Sequence, residues 1–287
     1  MRTGSAPTGR RPTPEGLPEA ISQRTTPPRG SPASRQLISN ISVVVLPLLG
    51  LSIAVGGWWG YVVAFDVAPV VLPAPPDVVR SLIDSFPYLM EHARITLTQS
   101  TVGFGLAVGG GMLLGTLIAH SRIVERMTYP WLVAFNAIPK VALAPLLVIW
   151  LGFGMQPRIA MVILICFFPV IIATVTGLGS TPSELAELAK SLDGSKLKTF
   201  VKIRFPYALP QIFIGLKVAM PLAVIGSVIG EFSGGRTGLG YVIVQASTNK
   251  ALAFAALVVL SIMSVALFYA LVLLERLLLP WVKATTA

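Results

Sequence analysis

Six apolar stretches, each about 20 residues long, most constrain what this chain can fold into. They lie at approximately 40–65, 100–119, 130–151, 158–178, 211–230 and 251–274. A helix of this length crosses a bilayer with every backbone polar group bonded internally. The chain is 54% hydrophobic and 12% charged, with a mean hydropathy of +0.78. We therefore predict an all-α integral membrane protein with six transmembrane helices and exclude a soluble domain.

Basic residues outside the stretches predict the orientation of the chain. The net charge is +10, which we attribute to the positive-inside rule and not to nucleic-acid binding. One set of connections and both chain ends are rich in basic residues: Arg2, Arg10, Arg11, Arg24, Arg29, Arg35, Arg122, Arg126, Lys190, Lys196, Lys198, Lys202, Arg204, Arg276 and Lys283. The other set holds fewer: Arg80, Arg94, Arg158, Arg236 and Lys250. Both termini are therefore expected to face the cytoplasm.

The segments outside the spans differ in composition. Residues 1–36 are rich in Pro, Ser, Thr and Arg, so we expect a disordered, basic cytoplasmic tail. The transmembrane domain is expected over 37–283, followed by a short C-terminal tail at 284–287. Within 66–94, apolar residues at helical spacing predict a short amphipathic helix, either on the membrane surface or capping the bundle.

Proline and glycine interrupt the apolar stretches. The third stretch contains Pro139 and Pro145. Proline lacks a backbone N–H, so we expect this span to depart from a plain helix. The second stretch carries glycines at four-residue spacing: Gly105, Gly109, Gly111 and Gly115. Such pairs allow close helix approach, either as ordinary bundle packing or as a moving interface.

A charged segment over 184–210 separates the fourth and fifth stretches. Thr181, Pro182 and Glu184 form a helix-start pattern with a cap, a proline at the first helical position and a capping-box glutamate. Gly194 is suited to the turn that ends this helix. We expect two short helices joined by a tight bend and exposed to the cytosol.

The second short helix of this segment is expected to begin at Ser195 and to end at Pro206 and Pro210, before the fifth span. Two roles fit the segment on physical grounds. It is either an amphipathic loop resting on lipid headgroups or a polar surface presented to a soluble partner.

The segment resembles the EAA loop of permease subunits in binding-protein-dependent ABC importers. The family pattern is Glu-Ala-Ala, three residues, Gly, nine residues, Ile, one residue, Leu-Pro. Here ELA at 187–189 fills its start and IRFP at 203–206 fills its end, with Leu188 and Phe205 as mild departures from the pattern. Asp193 stands at the glycine position, with Gly194 one residue later, so the geometry of the bend departs from the family pattern.

The resemblance extends over about 70–283. Five stretches, in the family's order, are similar to importers of nitrate, sulfonate, taurine and pyrimidine type: LPAPPDVVRSL, AIPKVALAPLLVIWLGFG, FPVIIATVTGL, RFPYALPQIFIGLKVA and GEFSGGRTGLGYVI. The resemblance implies a permease that forms the path for a small organic solute, of pyrimidine, thiamine-precursor, sulfonate or related type. It also implies a multi-pass protein of a bacterial-type inner membrane.

The same resemblance implies the partners. A coupling helix at about 180–210 would dock on cytoplasmic ATPase subunits, which bind ATP and Mg, so this chain would carry no cofactor. An extracytoplasmic solute-binding protein would deliver the solute, and a second permease copy, most simply in a homodimer, would complete the path in the bilayer. The coupling residues carried over are Glu184, Glu187, Ala189, Asp193, Gly194 and Pro206.

Four polar residues within the spans are candidates for the translocation path: Asn136, Lys140, Ser227 and Glu231. An ionisable group at bilayer depth is costly unless it is paired or faces water. Lys140 either lines the path with Asn136 or is held by carbonyls freed beside the prolines. Glu231 either lines an outer gate or caps the glycine-rich turn that follows, and Ser227 lies one turn earlier. Lys217 is expected to extend toward the cytosol.

Several chemical functions lack their sequence signals. The chain contains no G-x-x-x-x-G-K-[ST] phosphate loop and no His/Cys/Glu grouping with metal-ligand spacing. His92 and His120 flank the second stretch and are expected at opposite membrane interfaces. The sequence shows no arrangement of a nucleophile, a base and an orienting residue that would indicate an enzyme. An ion-gradient-driven secondary transporter remains the alternative function, although neither an internal repeat nor paired carboxylates are apparent.

Overall fold

The structure is a computed structural model that describes residues 32–182, 184–185, 191 and 195–281. Helices account for the regular structure of this part of the chain, and no strand occurs in it: α1 (Pro32–Ala64), α2 (Pro75–Asp84), α3 (Phe86–Ala119), α4 (Arg122–Ala137), α5 (Ala144–Leu151), α6 (Met155–Gly179), α7 (Lys196–Thr199), α8 (Phe205–Phe232), α9 (Leu239–Gln245) and α10 (Lys250–Leu278). A 3-10 turn (Lys140–Leu143) precedes α5, and a π-helical turn (Phe200–Arg204) joins α7 to α8. The all-α prediction is confirmed.

Five helical segments of the described chain are long and apolar enough to cross a membrane: Val45–Ala64, Phe86–Ala119, Met155–Gly179, Leu197–Phe232 and Lys250–Leu278. The third predicted stretch is a bent pair, Arg122–Ala137 with Lys140–Leu151, which turns by 76° and makes a sixth span if counted as one. Pro139 lies in the break between them. The departure from a plain helix follows from its missing N–H.

The chain divides into two compact units, Met1–Gly56 and Gly57–Ala287. In the first, the described residues belong to α1, which begins at Pro32 and so includes the end of the segment expected to be a tail. Pro32 suits a first helical position, and no proline or glycine follows it before Pro47. Residues 1–31 and the C-terminal tail lie outside the described residues.

In the second unit, α3, α6 and α8 pack closely because glycines remove side chains from their contacts. A Cβ atom at Gly111 of α3 would lie 2.8 Å from Cγ1 of Val170 on α6, which is too close without adjustment. Gly105 and Gly109 instead face open space in this chain. Of the two predicted glycine pairs, only the one containing Gly111 acts in packing within the chain.

The amphipathic helix expected in the segment 66–94 is α2. Its Val78 is buried in an apolar cluster with Leu89 of α3 and Leu239 of α9, whereas Val79 and Ile83 are exposed. The burial of Val78 in a cluster with other helices supports the capping alternative for α2.

Two element boundaries differ from those predicted. Helix α3 begins at Phe86 and not near residue 100, because polar side chains of its first turns, which interrupt the apolar stretch, are buried among other helices. Pro206 and Pro210 do not end a short helix but lie in α8. The N–H of Phe205 bonds the carbonyl of Phe200, five residues back, so a wider turn stands directly before Pro206.

Candidate functional site

Glu231, near the end of α8, places its carboxylate inside the protein, where the residue is 1% exposed. The hydroxyl of Thr96 on α3 donates to its Oε1 at 2.7 Å, and the N–H of Gly240 on α9 donates to its Oε2 at 2.6 Å. A buried carboxylate is costly unless its oxygens accept hydrogen bonds. Glu231 has both oxygens satisfied and thereby ties α8 to α3 and α9.

Gln99 on α3 extends this network to two further side chains. With its amide nitrogen toward Glu231, Gln99 donates to Oε1 at 3.0 Å and to Oγ of Ser227 at 2.9 Å, and its oxygen accepts from Nη1 of Arg158 at 3.0 Å. We assign this orientation because it satisfies every partner. The Gln99 amide thus links Glu231 on α8 to the guanidinium of Arg158 on α6, and Arg158 is 6% exposed.

The glycine-rich turn between α8 and α9 is shaped around the same carboxylate. Gly238 has φ +104°, and a Cβ atom there would overlap the carboxylate of Glu231. The N–H of Gly238 donates to Nδ1 of His92 at 2.9 Å, and the N–H of Leu239 donates to Oγ1 of Thr96 at 2.9 Å. Only glycine fits this backbone conformation and this space.

The structure relates two of the sequence candidates to each other. Ser227 and Glu231 meet the same Gln99 amide, as their spacing on one face of α8 suggested. The contact with Gly240 corresponds to the capping alternative for Glu231. The interfacial position expected for His92 stays a prediction, and the structure adds that the residue is 7% exposed and that its Nδ1 accepts from the turn.

The partners of Glu231 on other helices were not identified from the sequence. His92, Thr96 and Gln99 recur at spacings of four and three, which places them on one face of α3. A polar stripe on an otherwise apolar helix is a signal for a buried network. No comparable signal exists for Arg158 in the sequence, because a basic residue at the start of the fourth stretch is expected in a connection between spans.

Asn136 and Lys140 lie elsewhere, at the break between α4 and α5. Nζ of Lys140 donates to the backbone oxygen of Asn136 at 3.1 Å and to its Oδ1 at 2.7 Å. The break frees the last carbonyls of α4, and one of them holds the ammonium. The pair borders a cavity of about 470 Å³. In the described part of the chain, no hydrogen bond joins this pair to Ser227 or Glu231.

Lys217 on α8, which the sequence predicts to extend toward the cytosol, forms an ion pair with α10. Its Nζ lies 2.9 Å from Oε2 of Glu275 on α10. The side chains are 12% and 10% exposed. Sequence reasoning missed Glu275 because it lies at the charged end of the sixth stretch, which was assigned to the cytoplasmic side.

The segment at about 180–210 that is predicted to couple to the ATPase, named the coupling segment below, is described only in part. Glu184 is exposed and helical, and Pro206 lies in the first turn of α8. Oγ of Ser195 accepts from the N–H of Lys198 at 3.3 Å, which confirms the predicted helix cap. The hydroxyl of Thr181 donates back to Leu178 at 3.5 Å, a different contact from the predicted cap. The remaining candidates lie outside the described residues: Glu187, Ala189, Asp193 and Gly194.

Metal binding has no candidate site in the described ranges, where no three His, Cys, Asp or Glu side chains are grouped to hold an ion. Cys166 is buried, and its thiol donates to the carbonyl oxygen of Ala219 at 3.3 Å. We therefore assign this cysteine to helix packing.

Comparison with known proteins decides the family. The profile described as the binding-protein-dependent transport system inner membrane component matches residues 109–284. The formylaminopyrimidine transport permease protein ThiX of Halalkalibacterium halodurans is 37% identical over 218 residues, which is 75% of this chain and 87% of that protein. This chain belongs to that family.

Further relatives agree with this assignment. The putative aliphatic sulfonates transport permease protein SsuC of Bacillus subtilis is 32% identical over 75% of this permease and 79% of its own length. The taurine transport system permease protein TauC of Escherichia coli is 27% identical over 87% of this permease and 92% of its own length. A chain of the MetNI methionine ABC transporter, solved in inward-facing conformations, has a TM-score of 0.59 at 20% identity, covering 66% of this permease and 94% of that chain.

The family membership confirms the function inferred from the sequence resemblance. The chain is a multi-pass inner-membrane permease subunit of an ABC importer, a class that works with an ATPase and a solute-binding protein. The alternative of a secondary transporter gains no support from these relatives or from the fold.

Proposed function

We propose that this permease imports a small nitrogen-containing aromatic solute of the formylaminopyrimidine type. The observation that carries the proposal is the 37% identity to ThiX over 75% of the chain. The riboflavin transport system permease RibX of Chloroflexus aurantiacus, at 34% identity, bears the name of another nitrogen heteroaromatic. The named taurine permease is less similar, at 27%. Aliphatic sulfonates are the second candidate class, because SsuC is 32% identical.

The four polar candidates are proposed to act in two places along the path. Asn136 and Lys140 would line the path itself, because they border a cavity at a broken span. Ser227 and Glu231 would hold the turn around Gly238 at the outer end of the path, because their network bonds its backbone. In this proposal the network positions the gate and does not touch the solute.

The coupling segment over about 180–210 is proposed to dock on the ATPase as an EAA-type loop. Its sequence pattern supports this role, and Glu184 presents an exposed carboxylate. ATP and Mg would bind to the ATPase, and this subunit would carry neither an ATPase site nor a cofactor. The docked surface would transmit motion to α8, because α7 continues through the π turn into that helix.

Assembly and orientation complete the proposal. Two copies of this permease would form the path, most simply as a homodimer in the bilayer, because each chain offers one coupling segment. Both termini and the segment would face the cytoplasm, following the distribution of Lys and Arg. The tail at 1–31 would be cytoplasmic as well.

The test uses the permease with its ATPase and solute-binding protein in proteoliposomes. We expect formylaminopyrimidine, delivered by the binding protein, to stimulate ATP hydrolysis and to enter the vesicles, and taurine to do neither. The purified complex should contain two copies of this permease. Uptake of taurine without uptake of formylaminopyrimidine would overturn the proposed class, and uptake driven by an ion gradient without ATP would overturn the mechanism.

A further inference from the structure

A cavity of about 470 Å³ opens beside the break in the third span. Its walls come from α3, α4, α6 and the turn before α5. Three of them are aromatic, namely Phe135 on α4 and Phe167 and Phe168 on α6. The volume falls within the range of about 300 to 1,000 Å³ that is typical of small-molecule sites in proteins.

Asn136 and Lys140 are the polar side chains among the described lining residues, and they lie next to each other at the break. Two of the three ammonium hydrogens of Lys140 are directed at the oxygens of Asn136. Because Oδ1 of Asn136 accepts from Lys140, its amide nitrogen keeps two donors, and the described part of the chain supplies them no acceptor. The cavity thus presents several hydrogen-bond donors at the break.

Among the residues that the structure describes, no carboxylate lines the cavity. Lys140 makes no salt bridge within the described ranges. A cation at bilayer depth that is held only by neutral oxygens is incompletely compensated. A ligand oxygen with negative or partial negative charge would compensate it, so the electrostatics favour an acceptor-bearing ligand over a cation.

We propose that this cavity is a solute-binding site of the permease itself, selective for planar heterocycles that bear a carbonyl or anionic oxygen. The ring packs against the phenylalanines, and the oxygen accepts from Lys140 and Asn136. The inference rests on the proposed function and adds to it that the membrane subunit also selects the solute. An aliphatic sulfonate supplies the oxygen but no ring to pack against the walls.

The first test measures occupancy of the cavity in the complete complex with ATPase and binding protein. Cys166→Ser provides a background without reactive thiol and keeps a donor toward Ala219. A single cysteine is then placed at Leu164, which lines the cavity, or at Ser247, which is exposed and does not line it. We expect a small polar maleimide to label Leu164→Cys, and millimolar formylaminopyrimidine to slow this labelling several-fold while leaving Ser247→Cys unchanged.

Three results of the labelling test would overturn the inference. Absence of labelling at Leu164→Cys would mean that lipid chains or a second copy of the permease fill the cavity. Labelling that the solute does not slow would mean that the solute binds elsewhere. If taurine slowed the labelling of Leu164→Cys as much as formylaminopyrimidine does, the inferred selectivity for an aromatic ring would be contradicted.

The second test separates this inference from the proposed function. Lys140→Met removes the charge and keeps the length of the side chain, and Lys250→Met is the matched control at the start of α10. We expect Lys140→Met to reduce uptake of formylaminopyrimidine roughly tenfold or more through loss of a charge-assisted hydrogen bond, with normal assembly, and Lys250→Met to transport normally. Failure of the unmodified complex to import this solute contradicts the proposed function, whereas import that Lys140→Met leaves unchanged contradicts only the cavity site.

Discussion

Lys217 on α8 and Glu275 on α10 form an ion pair inside the protein, with Nζ 2.9 Å from Oε2 and 3.2 Å from Oε1. Helix α8 follows the coupling segment, so the pair lies on the first membrane helix that motion of this segment would reach. The two-oxygen contact fixes α8 against α10, and both side chains are shielded from solvent.

Removing one partner of this pair should destabilise the permease. Lys217→Met or Glu275→Gln alone leaves an uncompensated polar group inside the protein, which costs roughly 3–5 kcal/mol in comparable buried pairs. The double change to Met at both positions should recover most of that loss, because apolar side chains replace the pair. Thermal unfolding midpoints in detergent provide the measurement. Single variants as stable as the parent protein would show that the pair is solvated.

Glu231→Gln should loosen the turn around Gly238. The two carboxylate oxygens accept from different donors, and the amide nitrogen of glutamine would face one of them. The expected loss of stability is about 1–3 kcal/mol, with faster hydrogen exchange at the turn. Glu91→Gln is the matched control, since Glu91 is an exposed glutamate on α3, next to His92 of the network. Unchanged exchange in Glu231→Gln would mean that the acid does not hold the turn.

The sequence predicted the network only in fragments, for a physical reason. Hydropathy locates spans because each span must be apolar along its own length, and proline marks the break in the third span because its effect is local. Thr96 and Glu231, however, are 135 residues apart in sequence. Their contact depends on how α3 and α8 pack, and periodicity within either helix gives no information on that.

Hydropathy does not predict the burial of polar residues that form hydrogen bonds or ion pairs inside the protein. The first turns of α3 were excluded from the second span because His92 and its neighbours are polar, and yet His92 is buried. The ion pair of Lys217 could not be predicted from its own helix, because its partner Glu275 lies on another helix. In both cases, pairing offsets the cost that single-residue hydropathy assigns to burial.

Glycines of α3 should differ in how well they tolerate a larger side chain, according to whether they face another helix. Leucine at Gly111 would collide with Val170 of α6, and overpacking of this kind typically costs about 1–3 kcal/mol. A Cβ atom at Gly109 would meet no atom of the described chain within 4 Å, so a larger side chain starts from open space. We expect Gly111→Leu to lower the unfolding midpoint of the detergent-solubilised protein and Gly109→Leu to leave it unchanged. Equal destabilisation by both variants would contradict the packing of α3 on α6.

Single cysteines should report the orientation of the chain in intact cells. In a Cys166→Ser background, an impermeant thiol reagent should label Ser247→Cys, in the connection before α10, from outside. Ser34→Cys and Ser195→Cys should react only after the membrane is permeabilised, because the basic residues near them favour the cytoplasm. External labelling of either one, or protection of Ser247→Cys, would reverse the assigned topology.

Variants in the coupling segment should decide between its two alternative roles, ATPase docking and contact with lipid headgroups. Gly194→Val should block the left-handed turn predicted at the bend, because a β-branched residue tolerates positive φ poorly. Ala189→Trp should push the two surfaces apart. Glu187→Ala should act in the same direction but more weakly, since an exposed ion pair is typically worth under about 1 kcal/mol.

The expected phenotype of these variants is narrow because none of them changes a membrane span. Permease levels and copy number in the membrane should be normal, whereas the ATPase should fail to co-purify or to respond to loaded binding protein, and uptake should be lost. Lys250→Met, remote from the segment in sequence, is the control for a general effect of substitution. If Gly194→Val and Ala189→Trp both retain full ATPase association and full uptake, the segment rests on lipid headgroups and the coupling assignment fails.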